Sequence, residues 1–352
     1  MRRLRKFLLA VFILLVLAGA GLAFWVRRNL TTPHSHNATE TTVIIERGLG
    51  TRAIVDRLAA ANLITSRYAT LIYLKVTNGA PLKAGEYEFP SPITPLEVIG
   101  KLERGEVVQN RVTIPEGFNR FDIAALLASK TGKADAKTFE QLMTNTALIA
   151  DLDPQARDLE GYLFPDTYLY TRETTAADLI KLMTERFRSV FTPAWHQRAG
   201  ELGLSVHDIV TMASIVEEEA KNDNERAVIA SVFYNRLKKG MTLATDPSFI
   251  YAAILAGDYD GNVNHPRHRA RNSPYNTYLY PGLTPGPIAS PGRESLEAAL
   301  YPAETDYYYF VVSGMDGSHA FSRTIEEHNR AVAQYRRQQQ LFREQQRKAE
   351  GF

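Results

Sequence analysis

Apolar residues run without a single charge from Phe7 to Val26, and beyond that point they recur in two rhythms. The uninterrupted run spans about 30 Å at helical rise, the thickness of a bilayer core, so it predicts a membrane-crossing helix. Val43-Ile44-Ile45 and Val112-Thr113-Ile114 read as short strands. Each is followed by a glycine, Gly48 or Gly117, and then by a helical apolar period carrying Ile54 and Leu58 or Ile123 and Leu127. The two stretches match at one fixed offset of 69 residues, Val43 to Val112 and Ile54 to Ile123. Further on, Tyr87, Phe89 and Pro90 are echoed by Tyr162, Phe164 and Pro165, each set followed by a helical pattern, Leu96–Leu102 and Ala177–Met183. Helices are also predicted over 175–191, 205–221 and 227–237, a hairpin from 307–312 and 318–322, and a terminal helix opening at Thr324 and Glu327. The fold class is therefore α+β, an N-terminal transmembrane helix ahead of strand–helix units and a mixed α/β domain.

Charge bears on the orientation of the first helix. Arg2, Arg3, Arg5 and Lys6 precede it, which favours a cytoplasmic N-terminus; Arg27 and Arg28 on the far side weaken that bias without reversing it. Trp25 sits where an amphipathic ring prefers the interface. Ala18-Gly19-Ala20 resembles a signal-peptidase site, but the apolar residues continue to Val26, so an uncleaved anchor is the better reading. The polar stretch after it reads as a linker. Over the whole chain, 41 Lys and Arg against 39 Asp and Glu leave a formal charge of +2, and nothing in that balance points to nucleic acid. The absence of cysteine excludes disulfides, thiolate nucleophiles and cysteine metal sites, and fits an oxidising compartment.

The helix from Ser205 to Lys221 carries the chemistry. Ser205 with Asp208 forms a capping-box pattern, and Val206, Ile209, Val210, Ala213, Val216 and Ala220 give a buried face widened by Met212 and Ile215. Its last turn then holds Glu217, Glu218 and Glu219. Three carboxylates at a helix end commonly form a solvated tip, yet here they oppose the macrodipole, a local violation that often marks function. A helical side chain leans over the preceding turn, so Glu219 leans toward Ile215 and Val216, Glu217 toward Ala213 and Ser214, and Glu218 toward Ser214 and Ile215; Glu219 has the most apolar surroundings, and Glu218 is expected to face solvent. Apolar surroundings raise a carboxyl pKa, and a carboxylic acid that keeps its proton near neutral pH is a general acid. Glu219 is thus the expected proton donor, with Glu217 second.

A polar cluster follows. Asn235 and Arg236 close the next helix as caps or ligand contacts; Asp246 follows Thr245, and Tyr275-Asn276-Thr277-Tyr278 precedes a loop of Gly and Pro from Pro281 to Gly292. Aromatic faces beside amides and hydroxyls are what a sugar requires, so Glu217, Asn235, Asp246, Tyr275, Asn276, Thr277 and Tyr278 are candidate substrate contacts. Asp258, Asp260 and Asn262 imitate a calcium loop, but Val263 and Arg269 occupy its glycine and closing-acid positions. His265 and His268 lie among Arg267, Arg269 and Arg271, a basic loop suited to an anionic peptide or lipid rather than a metal. No metal or cofactor is expected.

At Glu160–Tyr168 (EGYLFPDTY), Ala213–Glu219 (ASIVEEE), Ser231–Leu237 (SVFYNRL) and Tyr275–Tyr278 (YNTY), the chain resembles the YceG-like family. Gly282–Ile288 and Tyr309–Val311 extend the likeness. The resemblance implies residues 1–6 as a cytoplasmic tail, 7–26 as the inner-membrane helix, 27–42 as a linker, 43–110 as a LysM-like subdomain, 111–340 as the periplasmic catalytic domain and 341–352 as a flexible tail. Short strand–helix units of this size also resemble carbohydrate-binding LysM modules by themselves; a duplication kept only as scaffold is the alternative. The resemblance further implies an endolytic lytic transglycosylase of peptidoglycan with Glu219, the last acid of its motif, as catalytic residue. It implies glycan strands as substrate, and penicillin-binding proteins and other wall-synthesis enzymes as partners. Ala244 stands where the family often has Gln, and Thr284-Pro285 where it often has Pro-Pro. Two other readings stay open: a muramidase hydrolysing with Glu219 and Asp246 as paired carboxylates, and a non-catalytic glycan-binding scaffold.

Overall fold

The computed structural model describes residues 2–36, 39–263, 265–314 and 317–349. Parts of the expected N-terminal tail, linker, hairpin turn and C-terminal tail lie outside them. By contact density the chain divides into two units: Met1–Arg111 with Leu169–Thr174, and Val112–Tyr168 with Thr175–Phe352.

The first unit opens with α1 (Arg2–Thr31), the one helix among the described residues long and apolar enough to cross a membrane. It continues five residues beyond Val26 into the expected linker, where Leu30 is buried. Beyond it, His36 is buried and bonds the Pro90 carbonyl and the Thr41 hydroxyl. Strand β1 (Glu40–Ile45), α2 (Thr51–Ala60), α3 (Arg67–Thr77), β2 (Gly85–Pro90) and α4 (Pro95–Arg104) make up most of the rest of the unit. β1 and β2 pair antiparallel with Val43 opposite Tyr87, so the alternation places Val43, Ile45, Tyr87 and Phe89 on one buried face. Ile54, Val55 and Leu58 of α2 and Val98 and Leu102 of α4 cover that face.

The order of elements then recurs as β3 (Asn110–Thr113), α5 (Arg120–Thr131), α6 (Ala136–Leu142), β4 (Thr167–Tyr170) and α7 (Ala176–Val190). β3 pairs with β4 as β1 pairs with β2. The second-strand echo lies elsewhere than the sequence suggested: Tyr168 and Tyr170 occupy the buried alternate positions of β4, as Tyr87 and Phe89 do in β2. Tyr162, Phe164 and Pro165 sit in the preceding turns, because an insertion between α6 and β4 breaks the fixed offset.

The rest of the second unit is α8 (Pro193–Glu201), α9 (Val206–Glu219), α10 (Arg226–Lys238), α11 (Asp246–Leu255), α12 (Pro266–Arg269), α13 (Arg293–Leu300), the hairpin β5 (Tyr309–Val312) and β6 (His319–Ser322), and α14 (Ile325–Ala349). α9 is its axis. Ser205 caps it, and the Asp208 side chain returns the bond in a capping box. Ile209 to Val216 are buried at every position, because α8, α10, α11 and α13 all pack on it. Removing any of its large apolar side chains from water contributes about 1.5–3 kcal/mol. The helix therefore presents its C-terminal acids from a rigid base.

Glu160–Tyr168 braces this axis. Glu160 accepts from the Arg120 backbone N–H at the start of α5 (3.0 and 3.1 Å) and from the Tyr251 hydroxyl (2.7 Å). Burial pushes its pKa up to about 8 despite those bonds. The Tyr162 hydroxyl donates to Asp153 at 2.6 Å, and Asp153 also pairs with His207 of α9 at 2.6 Å. Gly161 has φ +80°, and a Cβ there would stand 2.6 Å from Pro287 and 2.8 Å from Val210. Only glycine meets both conditions.

Candidate active site

The three acids at the end of α9 face three different environments. Glu217 is held inward. Its carboxylate takes the Arg226 guanidinium at 3.3 Å and the Gly292 backbone N–H at 3.0 Å, and both charged side chains are less than a tenth exposed. That pairing offsets the unfavourable placement at a helix C-terminus.

Glu218 is exposed, the solvent-facing position expected for it. It lies over the Glu116-Gly117 turn, where a Cβ on Gly117 would come within 2.9 Å of its carboxyl. The surrounding protein, with Glu217 and Asp122 close by, raises its pKa to about 7. Its charged neighbours are acidic.

Glu219 is half-buried. Loss of water raises its pKa to about 7, helped by the charges of Asp246 and Glu218. Two groups work the other way: the Arg236 guanidinium, and the Asp246 backbone N–H at the first residue of α11. A helix N-terminus favours an anion beside it. Glu219 thus has both a reason to hold its proton and a partner for its anion. A carboxyl raised to about 7 is common to Glu218 and Glu219; the positive counterweight separates them.

The walls are built from α10, α11 and the 275–278 loop. Arg236 is fixed by the Leu243 carbonyl (2.5 Å) and the Tyr308 carbonyl (2.6 Å), with its guanidinium 5.5 Å from the Tyr309 ring centre. Thr277 is the knot of the site. Its hydroxyl meets the Thr245 backbone N–H (3.0 Å) and the Ser248 hydroxyl (2.7 Å), and its carbonyl accepts from Ala244. Ala244 takes φ +52°, a left-handed backbone that alanine rarely adopts, at the turn that delivers Asp246 to Glu219. The Tyr278 hydroxyl donates to Asp246 at 2.6 Å, and Arg269 lies 4.1 Å from the Tyr278 ring centre.

The expected substrate contacts therefore separate. Asp246 and Tyr278 stand beside Glu219. Asn276 is fully buried, donating to the Arg269 and Arg271 carbonyls; Thr277 is buried in the knot; Asn235 donates to the Thr305 and Tyr307 carbonyls; Glu217 is in its ion pair. Tyr275 lines a separate cavity of about 190 Å³ with Asp153, Glu160 and His207. A cavity of about 870 Å³ borders Met212, Asn235 and Thr305 on another face of α9 and does not include Glu219. The basic loop is partly neutralised by the acidic one before it, Arg267 and His268 pairing with Asp260 at 3.0 Å and Arg271 with Asp258. Among the described residues no three His, Asp or Glu converge as a metal site. Sequence reasoning left Arg236 between cap and contact and did not reach Glu116 or Asp122, which approach Glu217 and Glu218 respectively only through the fold.

The profile of the YceG-like family matches residues 43–334. The chain belongs to the YceG-like family. Within it, the endolytic murein transglycosylase of Bacillus subtilis is 36% identical over 334 residues, covering 90% of each chain. That of Streptococcus pneumoniae is 29% identical over 363 residues, covering 94% of this chain and 65% of its own length. The crystal structure of a YceG-like protein from Listeria monocytogenes superposes with a TM-score of 0.57 at 32% identity, over 83% of this chain and 98% of that one. Glu219, Asp246, Tyr278 and Arg236 all lie inside the matched region of the YceG-like fold.

Proposed function

We propose that this YceG-like chain is an endolytic murein transglycosylase, a lyase that cuts peptidoglycan strands internally, with Glu219 as its acid and base. The curated relatives carry that name, and the observation that carries the chemistry is the position of Glu219 between Arg236 and the start of α11.

Glu219 protonates the oxygen joining N-acetylmuramic acid to N-acetylglucosamine, and the bond from that oxygen to the muramyl C1 breaks with oxocarbenium character. The Glu219 anion, eased by Arg236 and the Asp246 N–H, then takes the proton of the muramyl C6 hydroxyl as O6 closes on C1. The product ends in a 1,6-anhydro ring, and no water is consumed. One carboxyl serves both steps, whereas a hydrolase needs a second. Asp246, held by Tyr278, and the Tyr278 ring orient the sugar. Thr277, Asn276 and Asn235 act indirectly by fixing the loops that carry them.

The strand–helix–helix–strand body of the first unit is read as a LysM-like glycan holder, and α1 as a single inner-membrane anchor with a cytoplasmic N-terminus. Work beside the membrane places the enzyme where new strands emerge, next to penicillin-binding synthases, and suits it to ending strand growth. Weighing the products from purified glycan tests the reaction class. Anhydro ends support lytic cleavage; reducing ends, one water heavier, would establish hydrolysis.

A further inference from the structure

The first unit carries an apolar face that its own core does not cover. α3 turns back alongside α1: the Thr65 hydroxyl, just before α3, donates to the Asn29 carbonyl of α1 at 3.0 Å. From there α3 descends toward the apolar part of α1. A cleft of about 400 Å³ lies between them, bounded by Gly19, Leu22 and Val26 of α1, Ile72 and Val76 of α3, and Leu96 of α4. Val76 is 77% exposed and Tyr68 67%, large apolar surface on a helix whose other side, Leu71 and Leu74, packs on the core.

We propose that α3 is seated in the outer face of the lipid bilayer and that phospholipid acyl chains fill this cleft. The inference rests on reading α1 as the membrane anchor. The depth follows from helical rise: Leu22 and Gly19 lie about 5–9 Å deeper than Trp25 along α1, and a helix resting in the interface sinks about 5–10 Å. Residues beside Leu22 and Gly19 therefore meet hydrocarbon, which suits Val76, Ile72 and Leu96 and would be unfavourable for polar groups. Arg27, at the outer end of the cleft where Leu30 and Thr31 also line it, Arg28 beside it and Lys75 on α3 can reach the phosphate level, as long cationic side chains do. Seated so, the first unit is held at two places on the membrane, not by a single swivelling helix.

The chain has no cysteine, so single thiols report cleanly. Val76→Cys and, separately, Leu15→Cys are introduced into the full chain, labelled with nitrobenzoxadiazole and reconstituted into phosphatidylethanolamine–phosphatidylglycerol vesicles with and without nitroxide-bearing lipid. Leu15 reads the anchor, and Val76 reads the inference. With Leu15 quenched, Val76 should be quenched at least half as strongly and emit to the blue of its value in detergent-free buffer, as a group at interfacial depth does. Quenching at Leu15 with water-like, unquenched emission at Val76 overturns the inference alone. Blue but unquenched emission at Val76 also overturns it, because a protein surface would then fill the cleft. No quenching at Leu15 overturns the anchor and the inference with it.

Discussion

The Glu219 carboxyl, at the last residue of α9, faces the backbone N–H of Asp246, at the first residue of α11, while the Asp246 carboxylate is turned to the Tyr278 hydroxyl at 2.6 Å. The end of one helix and the start of another thus meet at a single carboxyl. Burial and the Asp246 charge hold its proton; the α11 N–H and Arg236 receive its anion. This is the electrostatic requirement for a group that must act as acid and then as base.

Activity should fall as pH rises through about 7, where Glu219 loses its proton. Stability follows the same sign. The folded-state value lies above the usual 4.5, so the stabilising contribution of the protonated form is complete below about 4.5 and is lost as pH passes about 7. Glu219→Gln should therefore melt increasingly above the wild type as pH is raised from 5 to 8. A constant difference in melting temperature would contradict the raised pKa.

Asp246→Asn removes the largest charge that raises Glu219. The alkaline limb of the pH–rate profile should move to lower pH. Glu218→Gln should move it the same way, more weakly, while cleavage persists. An unmoved limb in both variants would mean that these charges do not act on the catalytic proton.

Arg226→Met leaves Glu217 buried without its partner. Breaking a buried pair from one side costs about 3–5 kcal/mol. Urea unfolding should show a loss of that size, and a loss below 1 kcal/mol would show that Glu217 is not fixed by the pair.

Gly161→Ala requires a positive φ of an L residue and drives a Cβ against Pro287 and Val210. Overpacking of this kind costs about 1–3 kcal/mol. Denaturant unfolding should report it, together with reduced activity because Val210 belongs to α9. Wild-type stability in this variant would contradict the close approach.

The course of α9 was legible because period, cap and acids coincide within one segment: Ser205, Asp208 and the run Ile209–Val216 read directly as a buried helix. The half-burial of Glu219 was legible in the same segment, where apolar residues fill the preceding turn. What sequence could not supply is long-range pairing. Arg226 and Gly292 capture Glu217, and the loop carbonyls of Arg269, Thr305 and Tyr307 capture Asn276 and Asn235, so polar residues that look available for sugar have partners within the fold. The β4 alternation was missed because the repeat keeps its offset only as far as the loops between its helices keep their length. The basic loop looked open to an anionic ligand, but Arg267 pairs with Asp260 and Arg271 with Asp258, and Arg269 lies over the Tyr278 ring.

The most direct measurement is the rate at which purified glycan strands gain 1,6-anhydro ends with the wild type and with Glu219→Gln under the same conditions. General acid–base catalysis contributes about 100- to 10,000-fold, so a loss in that range is expected, with the far-ultraviolet spectrum of the variant unchanged. A Glu219→Gln enzyme that forms anhydro ends within a few-fold of the wild-type rate would contradict the role of Glu219 as the proton donor.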